Sequence, residues 1–217
     1  IRKALHFLLS TNFSEIEVML AALALGMPQP LSAMQLLWIN LVTDIFPGLA
    51  LAVEPAEPEV LSRPPRDPAE PILTAGHLRL MTGESAVITA GTLSAFTYGL
   101  ARYGAGARAG TIAFNTLTCA QLLHAFSCRS DEHAAFGTGS RSENRWLTLA
   151  AGGALAAQAS TLVFPPLRRL LGGTGVGLID TAVIGAGAVG PLAVNEFLKR
   201  RRTKKGRSRQ RDPGDPS

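Results

Sequence analysis

Long apolar stretches separated by short polar segments dominate the chain and predict helices that cross a membrane. The stretches cover residues 1–26, 31–53, 78–100, 111–126, 146–164 and 176–198. A membrane-spanning helix needs about 20 mostly apolar residues, and all but the fourth stretch approach or exceed that length. The pattern therefore predicts an all-α fold, a polytopic membrane bundle of six transmembrane helices.

The spans and the polar segments between them divide the chain into four parts. These are an N-terminal helix pair (1–53), a proline-rich loop (54–77), a four-helix C-terminal bundle (78–198) and a basic tail (199–217). Six prolines predict an extended loop, and the charge of the tail predicts disorder. Gly26 and Pro28 are expected to end the first helix. Pro47 and Gly48 are expected to break the second helix near mid-membrane.

The charge pattern agrees with a membrane protein. Only 17% of the 217 residues are charged, 47% are hydrophobic, and the formal net charge is +5. With six spans, 17 of the 21 Lys and Arg residues fall on the side of the two termini and the proline-rich loop, which predicts that this side is cytoplasmic. The basic tail is expected to attract anionic membrane lipids. It has no aromatic residues, so nucleic acid is not an expected partner.

Oxygen-bearing side chains recur inside the apolar spans and form a candidate metal site. On a helix, positions i, i+3 and i+4 share a face, so those within one span point the same way. The candidate ligands are Asn12, Glu15, Asn40, Thr43, Asp44 and Gln121. Hard oxygen ligands favour Ca²⁺, Mg²⁺ or alkali cations over zinc or copper. A lone Asn or Thr could instead serve interhelical hydrogen bonding, so the prediction depends on the two carboxylates and the amides together.

Five segments of the chain carry a family resemblance. They are STNFSE (10–15), LLWINLVTDIFPGLAL (36–51), EPAEPEVLSRPPRDPAEPIL (54–73), TIAFNTLTCAQLLHAFSCRS (111–130) and VGPLAVNEFLKR (189–200). These segments resemble the C-terminal membrane region of P-type cation-transporting ATPases, close to the sarco/endoplasmic-reticulum-type calcium pumps and their bacterial relatives. The resemblance implies that the six spans are helices five to ten of a ten-helix pump.

The resemblance also implies roles for individual residues. Asn12 and Glu15 match the fifth-helix calcium ligands of the family. Asn40, Thr43 and Asp44 match the sixth-helix ligands, with Asp44 bridging two calcium sites.

Two positions depart from the family pattern. Gln121 falls where the two-site pumps have an eighth-helix Glu, which removes one carboxylate and makes one Ca²⁺ per cycle plausible. Ile45 stands where the family usually has Gly after the Asp, which would stiffen this turn.

The motifs of ATP chemistry are missing from the chain. It contains neither the phosphorylated-aspartate motif DKTGT nor a nucleotide-binding domain. The resemblance thus implies the cation-binding membrane portion of an ATP-driven calcium transporter, with no catalytic residue of its own. Mn²⁺ or another cation is the alternative cargo. ATP and Mg²⁺ would act only through absent domains, and the remainder of the pump is the expected partner.

The chain opens on Ile1 and is expected to be a piece of a longer protein, an integral membrane protein of the plasma membrane if bacterial, with both termini cytoplasmic. Two other interpretations stay open. One is a non-enzymatic structural or regulatory membrane protein from a truncated pump gene. The other is a secondary cation transporter in which Glu17 carries a proton.

Several lesser features receive structural interpretations. His6 and His124 are expected to be isolated packing or interfacial residues, and the two cysteines give no metal-binding spacing. Glu84 is expected near the cytoplasmic interface. The letters TGES (82–85) match a loop motif of the same pump family and GAGAVG (185–190) matches a dinucleotide-binding pattern, but both lie in apolar spans. Both matches are therefore interpreted as coincidence, with the glycines serving helix packing.

Overall fold

The structure, a computed structural model, describes residues 2–53, 72–129 and 144–211, with side chains to residue 202. All regular structure in these ranges is helical, which confirms the all-α prediction. The helices are α1 (Arg2–Ala24), α2 (Ala33–Ile39), a π-helical segment (Asn40–Ile45), α3 (Phe46–Ala52), α4 (Ala75–Tyr103), α5 (Ala107–Ser127), α6 (Arg145–Val163), α7 (Pro165–Leu170) and α8 (Leu178–Arg211).

The six predicted spans correspond to six long helical segments, but composition supports only four of them as membrane spans. α1, the continuous segment Ala33–Ala52, α6 and Leu178–Arg202 of α8 are long and apolar enough to cross a membrane. α4 and α5 are long but fall short of that apolar composition. The prediction of six transmembrane helices is therefore supported only in part.

Helix α5 lies at the centre of the bundle. Its enclosure by other helices explains why its sequence is less apolar than that of a membrane span. It packs against α4, α6 and α8, and more locally against α1, α3 and the π-helical segment. Its polar residues Asn115, Gln121 and His124 are all at most 2% exposed. A helix enclosed by protein can carry polar side chains that hydrogen-bond to neighbouring helices, so its sequence is less apolar than that of a lipid-facing helix.

Helix α1 ends at Ala24, just before Gly26, as the sequence predicted. The backbone N–H of Met27 donates to the carbonyl of Ala22, and that of Gly26 donates to Leu23. Gly26 has φ of 65°, the left-handed conformation that glycine adopts at little cost. These two bonds form a Schellman motif, which ends the helix and turns the chain toward α2.

The prediction that Pro47 and Gly48 break the second helix is wrong. The chain stays helical through this region, and α3 begins at Phe46 with Pro47 in its first turn. Proline lacks an N–H and crowds the carbonyl four residues earlier, so the preceding α-helical ladder cannot continue unchanged. The distortion instead takes the form of the π-helical segment, which ends at Ile45 immediately before α3.

Three further boundaries differ from the sequence prediction. The turn expected after residue 164 contains the short helix α7, which has Pro165 in its first turn, where proline is well tolerated. The basic tail continues α8 as helix to Arg211, because Lys and Arg are good helix formers and extend a helix that is already nucleated. α4 begins at Ala75, and the prolines of the proline-rich loop lie outside the described residues.

The glycine-rich part of α8 packs closely on α4, as expected from the apolar setting of GAGAVG. A Cβ added at Gly91 would lie 2.6 Å from the carbonyl oxygen of Gly187 and 2.6 Å from Cγ of Pro191. A Cβ at Gly187 would lie 2.7 Å from a methyl group of Thr116. These glycines therefore allow α4, α5 and α8 to approach one another at backbone distance.

Candidate cation site

The π-helical segment carries three of the predicted ligands in a single widened turn. Asn40 begins the segment, and Thr43 and Asp44 lie near its end, just before Pro47. In a π-helix the backbone hydrogen bonds run from residue i to i+5, and such turns occur frequently at functional sites. Thr43 is fully buried, whereas Asn40 and Asp44 are half-buried.

The structure brings α1 and the π-helical segment together through Asp44. Nδ2 of Asn12 donates to Oδ2 of Asp44 over 3.3 Å, and the hydroxyl of Thr43 donates to Oδ1 over 3.2 Å. The Thr43 hydroxyl also lies 3.0 Å from the carbonyl oxygen of Ile39, one turn earlier. Both carboxylate oxygens of Asp44 thus face other predicted ligands rather than lipid.

A second group of predicted ligands lies between α1 and α5. Nε2 of Gln121 donates to Oε1 of Glu15 over 3.3 Å and to the backbone carbonyl of Thr11 over 3.1 Å. It also lies 3.1 Å from the hydroxyl of Ser14. Glu15 is 7% exposed and Gln121 is fully buried. Glu15 lies one turn from Asn12 on α1, so the two groups occupy adjacent levels of the bundle.

Two amide oxygens in these groups lack a hydrogen-bond partner among the described residues. They are Oδ1 of Asn40 and Oε1 of Gln121, and both are buried. An unpaired buried polar atom costs about 1–3 kcal/mol, and most buried polar atoms in proteins are satisfied. A cation bound within reach of either oxygen would satisfy it.

The donor set is chemically uniform. The six predicted ligands offer two carboxylates, three side-chain amides and one hydroxyl, which are all hard oxygen donors. Ca²⁺ binds six to eight oxygens in flexible geometry, from carboxylates, amide carbonyls and water. The donor set, with Glu15 buried and Asp44 half-buried, therefore has the ligand chemistry that a hard cation prefers.

Glu17 points away from this site toward α4. Its Oε1 accepts a hydrogen bond of 2.7 Å from Ser85, and its Oε2 accepts one of 3.2 Å from Thr89. Glu17 therefore faces a neighbouring helix. Ser85, the last letter of TGES, lies on the long helix α4, as expected for a coincidental match.

The expectation that His6 and His124 are isolated is wrong. Nε2 of His6 lies 2.6 Å from Oε2 of Glu84, and Nε2 of His124 lies 3.6 Å from the same oxygen. Sγ of Cys128 lies 3.3 Å from Nε2 of His124. Only the last contact had a signal in the sequence, because His124 and Cys128 are four residues apart and share a helix face.

Most of the chain is similar in sequence to known proteins. The family described as "Cation transporting ATPase, C-terminus" matches residues 28–201. A calcium-transporting ATPase 1 of Bacillus cereus is 33% identical over 215 residues, covering 92% of this chain and 24% of that protein. A calcium-transporting ATPase of Bacillus subtilis is 37% identical over 171 residues, covering 78% of this chain and 19% of its own length.

A third relative has a broader name. A probable cation-transporting ATPase F of Mycobacterium tuberculosis is 36% identical over 186 residues, covering 85% of this chain and 19% of that protein. The chain thus spans about a fifth to a quarter of the length of these relatives. With its apolar helices, the match over most of the chain identifies an integral membrane protein that belongs to the C-terminal family of cation-transporting ATPases.

Proposed function

We propose that this chain is the cation-binding membrane portion of an ATP-driven calcium transporter. Its partner would be the remainder of the pump, which would supply ATP hydrolysis and further ligands. Support comes from the family, from relatives named calcium-transporting ATPases, and from the buried oxygen cluster between α1, the π-helical segment and α5.

One observation carries the proposal. Asn40 and Gln121 each hold a buried side-chain oxygen without a hydrogen-bond partner in the described part of the chain. Gln121 hydrogen-bonds to Glu15, and Asn40 begins the widened turn that also holds Asp44. A helix contact formed only for packing would be expected to satisfy these oxygens with protein donors. A calcium ion, which binds only oxygen here, would use them as ligands.

The charge of the ligands in this chain supports a single bound ion. Two carboxylates, Glu15 and Asp44, neutralise one Ca²⁺, and the third position, Gln121, contributes no charge. A second divalent cation would bring positive charge that the ligands of this chain do not compensate. We therefore propose one Ca²⁺ per cycle for the complete protein.

The orientation of the bundle is proposed from the basic residues. Arg2, Lys3, Arg129 and the start of the basic tail fall at one end of the helices, whereas Arg102 and Arg108 fall at the other. The excess lies with the termini, which supports a cytoplasmic location for both ends of the chain. In a bacterium the membrane would be the plasma membrane.

Calcium-dependent formation of the aspartyl-phosphate from ATP tests the proposal. The measurement uses the full-length protein that contains this chain, reconstituted or in detergent. Asp44→Asn keeps the size of the side chain and removes its charge, and it should shift the Ca²⁺ dependence of phosphorylation to at least tenfold higher Ca²⁺. Removing a negative charge from the ligands of a calcium site strongly lowers its affinity for Ca²⁺.

Glu17→Gln is the matched control. It removes a carboxylate from the same helix as Glu15, at a similar depth, but Glu17 hydrogen-bonds to α4 rather than to the candidate ligands. Phosphorylation should keep its Ca²⁺ dependence in this variant. The proposal fails if Asp44→Asn retains an unchanged Ca²⁺ dependence.

A further inference from the structure

A second cluster of metal-binding side chains lies nearer the start of α1 than the candidate cation site. Its members come from α1, α4 and the end of α5. This imidazole–thiol cluster consists of His6, Glu84, His124 and Cys128. We propose that the imidazole–thiol cluster is a binding site for Zn²⁺. The proposal does not rest on calcium transport, because none of these residues belongs to the candidate cation site.

The distances suit one small ion. The ligand atoms of His6, His124 and Cys128 all lie within 4.8 Å of one another. In a tetrahedral zinc site with bonds of about 2.0–2.3 Å, neighbouring ligand atoms are about 3.3–3.8 Å apart. Sγ of Cys128 is 3.3 Å from Nε2 of His124, and Oε2 of Glu84 is 3.6 Å from the same nitrogen. These pairs already have the required separation, whereas the 2.6 Å contact between His6 and Glu84 must lengthen.

The contacts of His124 indicate which of its two ring nitrogens would bind the metal. His124 is 2% exposed, and its Nδ1 has no hydrogen-bond partner among the described residues. Because Nε2 faces Cys128 and Glu84, Nε2 would be the ligand atom and the ring proton would stay on Nδ1. Support for the site therefore comes from the distances among the ligand atoms and from the kinds of ligand.

The kinds of ligand select the metal. Imidazole and thiolate ligands favour zinc and related transition metals, whereas Ca²⁺ and Mg²⁺ prefer oxygen alone. Two imidazoles, one thiol and one carboxylate complete a tetrahedral set. The imidazole–thiol cluster and the candidate cation site therefore differ in ligand chemistry, and each would discriminate against the other's ion.

The surroundings allow entry and balance charge. A cavity of about 50 Å³ borders the cluster beside His6 and Glu84, and Lys199 forms part of its wall. The Lys199 ammonium lies 3.8 Å from a carboxylate oxygen of Glu196 and 2.8 Å from the backbone carbonyl of Ser127, so its charge is compensated locally. On binding, the Cys128 thiol would release its proton to solvent and coordinate as thiolate. The carboxylate and the thiolate together neutralise Zn²⁺.

Cobalt substitution tests this site directly. The full-length protein in detergent is treated with a chelator, freed of it, and titrated with Co²⁺, which replaces Zn²⁺ in tetrahedral sites and reports thiolate ligation by a charge-transfer band. The expected result is a band that saturates at one Co²⁺ per protein and disappears when Zn²⁺ is added. If the unmodified protein does not show this band, the proposal is wrong.

Variants of the two cysteines and of His124 identify the residues that bind Co²⁺ and give rise to the charge-transfer band. Cys128→Ser should abolish it, and His124→Gln should weaken Co²⁺ binding at least tenfold. Cys119→Ser is the matched control, since Cys119 lies on α5 but outside the cluster, and it should leave the band unchanged. Asp44→Asn should also leave it unchanged. A band that survives Cys128→Ser, or one lost equally in Cys119→Ser, contradicts the proposal. Size-exclusion elution of each variant establishes that it is folded.

Discussion

The side-chain amide of Gln121 donates to Oε1 of Glu15 over 3.3 Å, while its own carbonyl oxygen is buried without a hydrogen-bond partner among the described residues. The same side chain thus holds the carboxylate of α1 in place and leaves a hard oxygen beside it. Position 121 is therefore where the charge of the candidate cation site can be changed with little change in shape.

Changing Gln121 should alter calcium affinity in both directions. Gln121→Glu adds a carboxylate ligand and should tighten Ca²⁺ binding about tenfold, since charge count tunes calcium affinity. Gln121→Met has a similar volume but no oxygen, and it should weaken binding about tenfold. Equilibrium binding of radioactive Ca²⁺ to the full-length protein checks both results. Equal Ca²⁺ affinities in the unmodified protein and both variants would show that Gln121 is not a ligand of the ion.

Helix packing between α4 and α8 should depend on Gly91. Gly91→Ala places a methyl group 2.6 Å from a backbone oxygen of Gly187, so the helices must separate. Overpacking of this kind costs about 1–3 kcal/mol. The midpoint of thermal unfolding in detergent should fall accordingly.

Gly83→Ala on the same helix is the control for Gly91. A Cβ at Gly83 meets no atom within 4 Å, and alanine favours helix, so the unfolding midpoint should not fall. A similar decrease for both variants would show that helix α4 tolerates no substitution, and would contradict a specific contact with α8.

The start of α8 should depend on the charge of Asp180. This carboxylate is fully buried and accepts hydrogen bonds from Tyr98, Tyr103, Arg108 and the backbone N–H of Gly177. Hydrogen bonds to charged groups contribute about 1.5–3 kcal/mol, so Asp180→Asn should lower the thermal unfolding midpoint.

Asp180→Asn should leave the Ca²⁺ affinity unchanged, because Asp180 contacts none of the candidate ligands. Arg108→Lys should have a smaller effect on unfolding, since the Arg108 side chain is partly exposed. Loss of Ca²⁺ binding with an unchanged unfolding midpoint would contradict a structural role for Asp180.

The sequence was sufficient to identify the helical bundle and the candidate ligands. A carboxylate at membrane depth is costly, so Glu15 and Asp44 stood out without a structure. The hydrogen bond between Asn12 and Asp44 joins positions 32 residues apart, and the one between Gln121 and Glu15 joins positions 106 apart. Spacing within a helix predicts a shared face, whereas these pairings depend on which helices pack together.

Other features could not be predicted because they depend on packing between distant segments. Pro47 and Gly48 predicted a break, whereas the π-helical distortion that the structure has instead depends on how the chain satisfies its backbone on both sides of the proline. The contact between His6 and Glu84 joins residues 78 positions apart on two helices. Each residue alone looks like an ordinary packing or interfacial side chain.

Equilibrium Ca²⁺ binding to the full-length protein, measured in parallel for the unmodified protein, Asp44→Asn and Glu17→Gln, tests the central claim most directly. We predict one Ca²⁺ bound per unmodified protein, the same stoichiometry and affinity for Glu17→Gln, and at least tenfold weaker binding for Asp44→Asn. Unchanged Ca²⁺ binding in a folded Asp44→Asn protein would contradict the assignment of the π-helical segment to a calcium site.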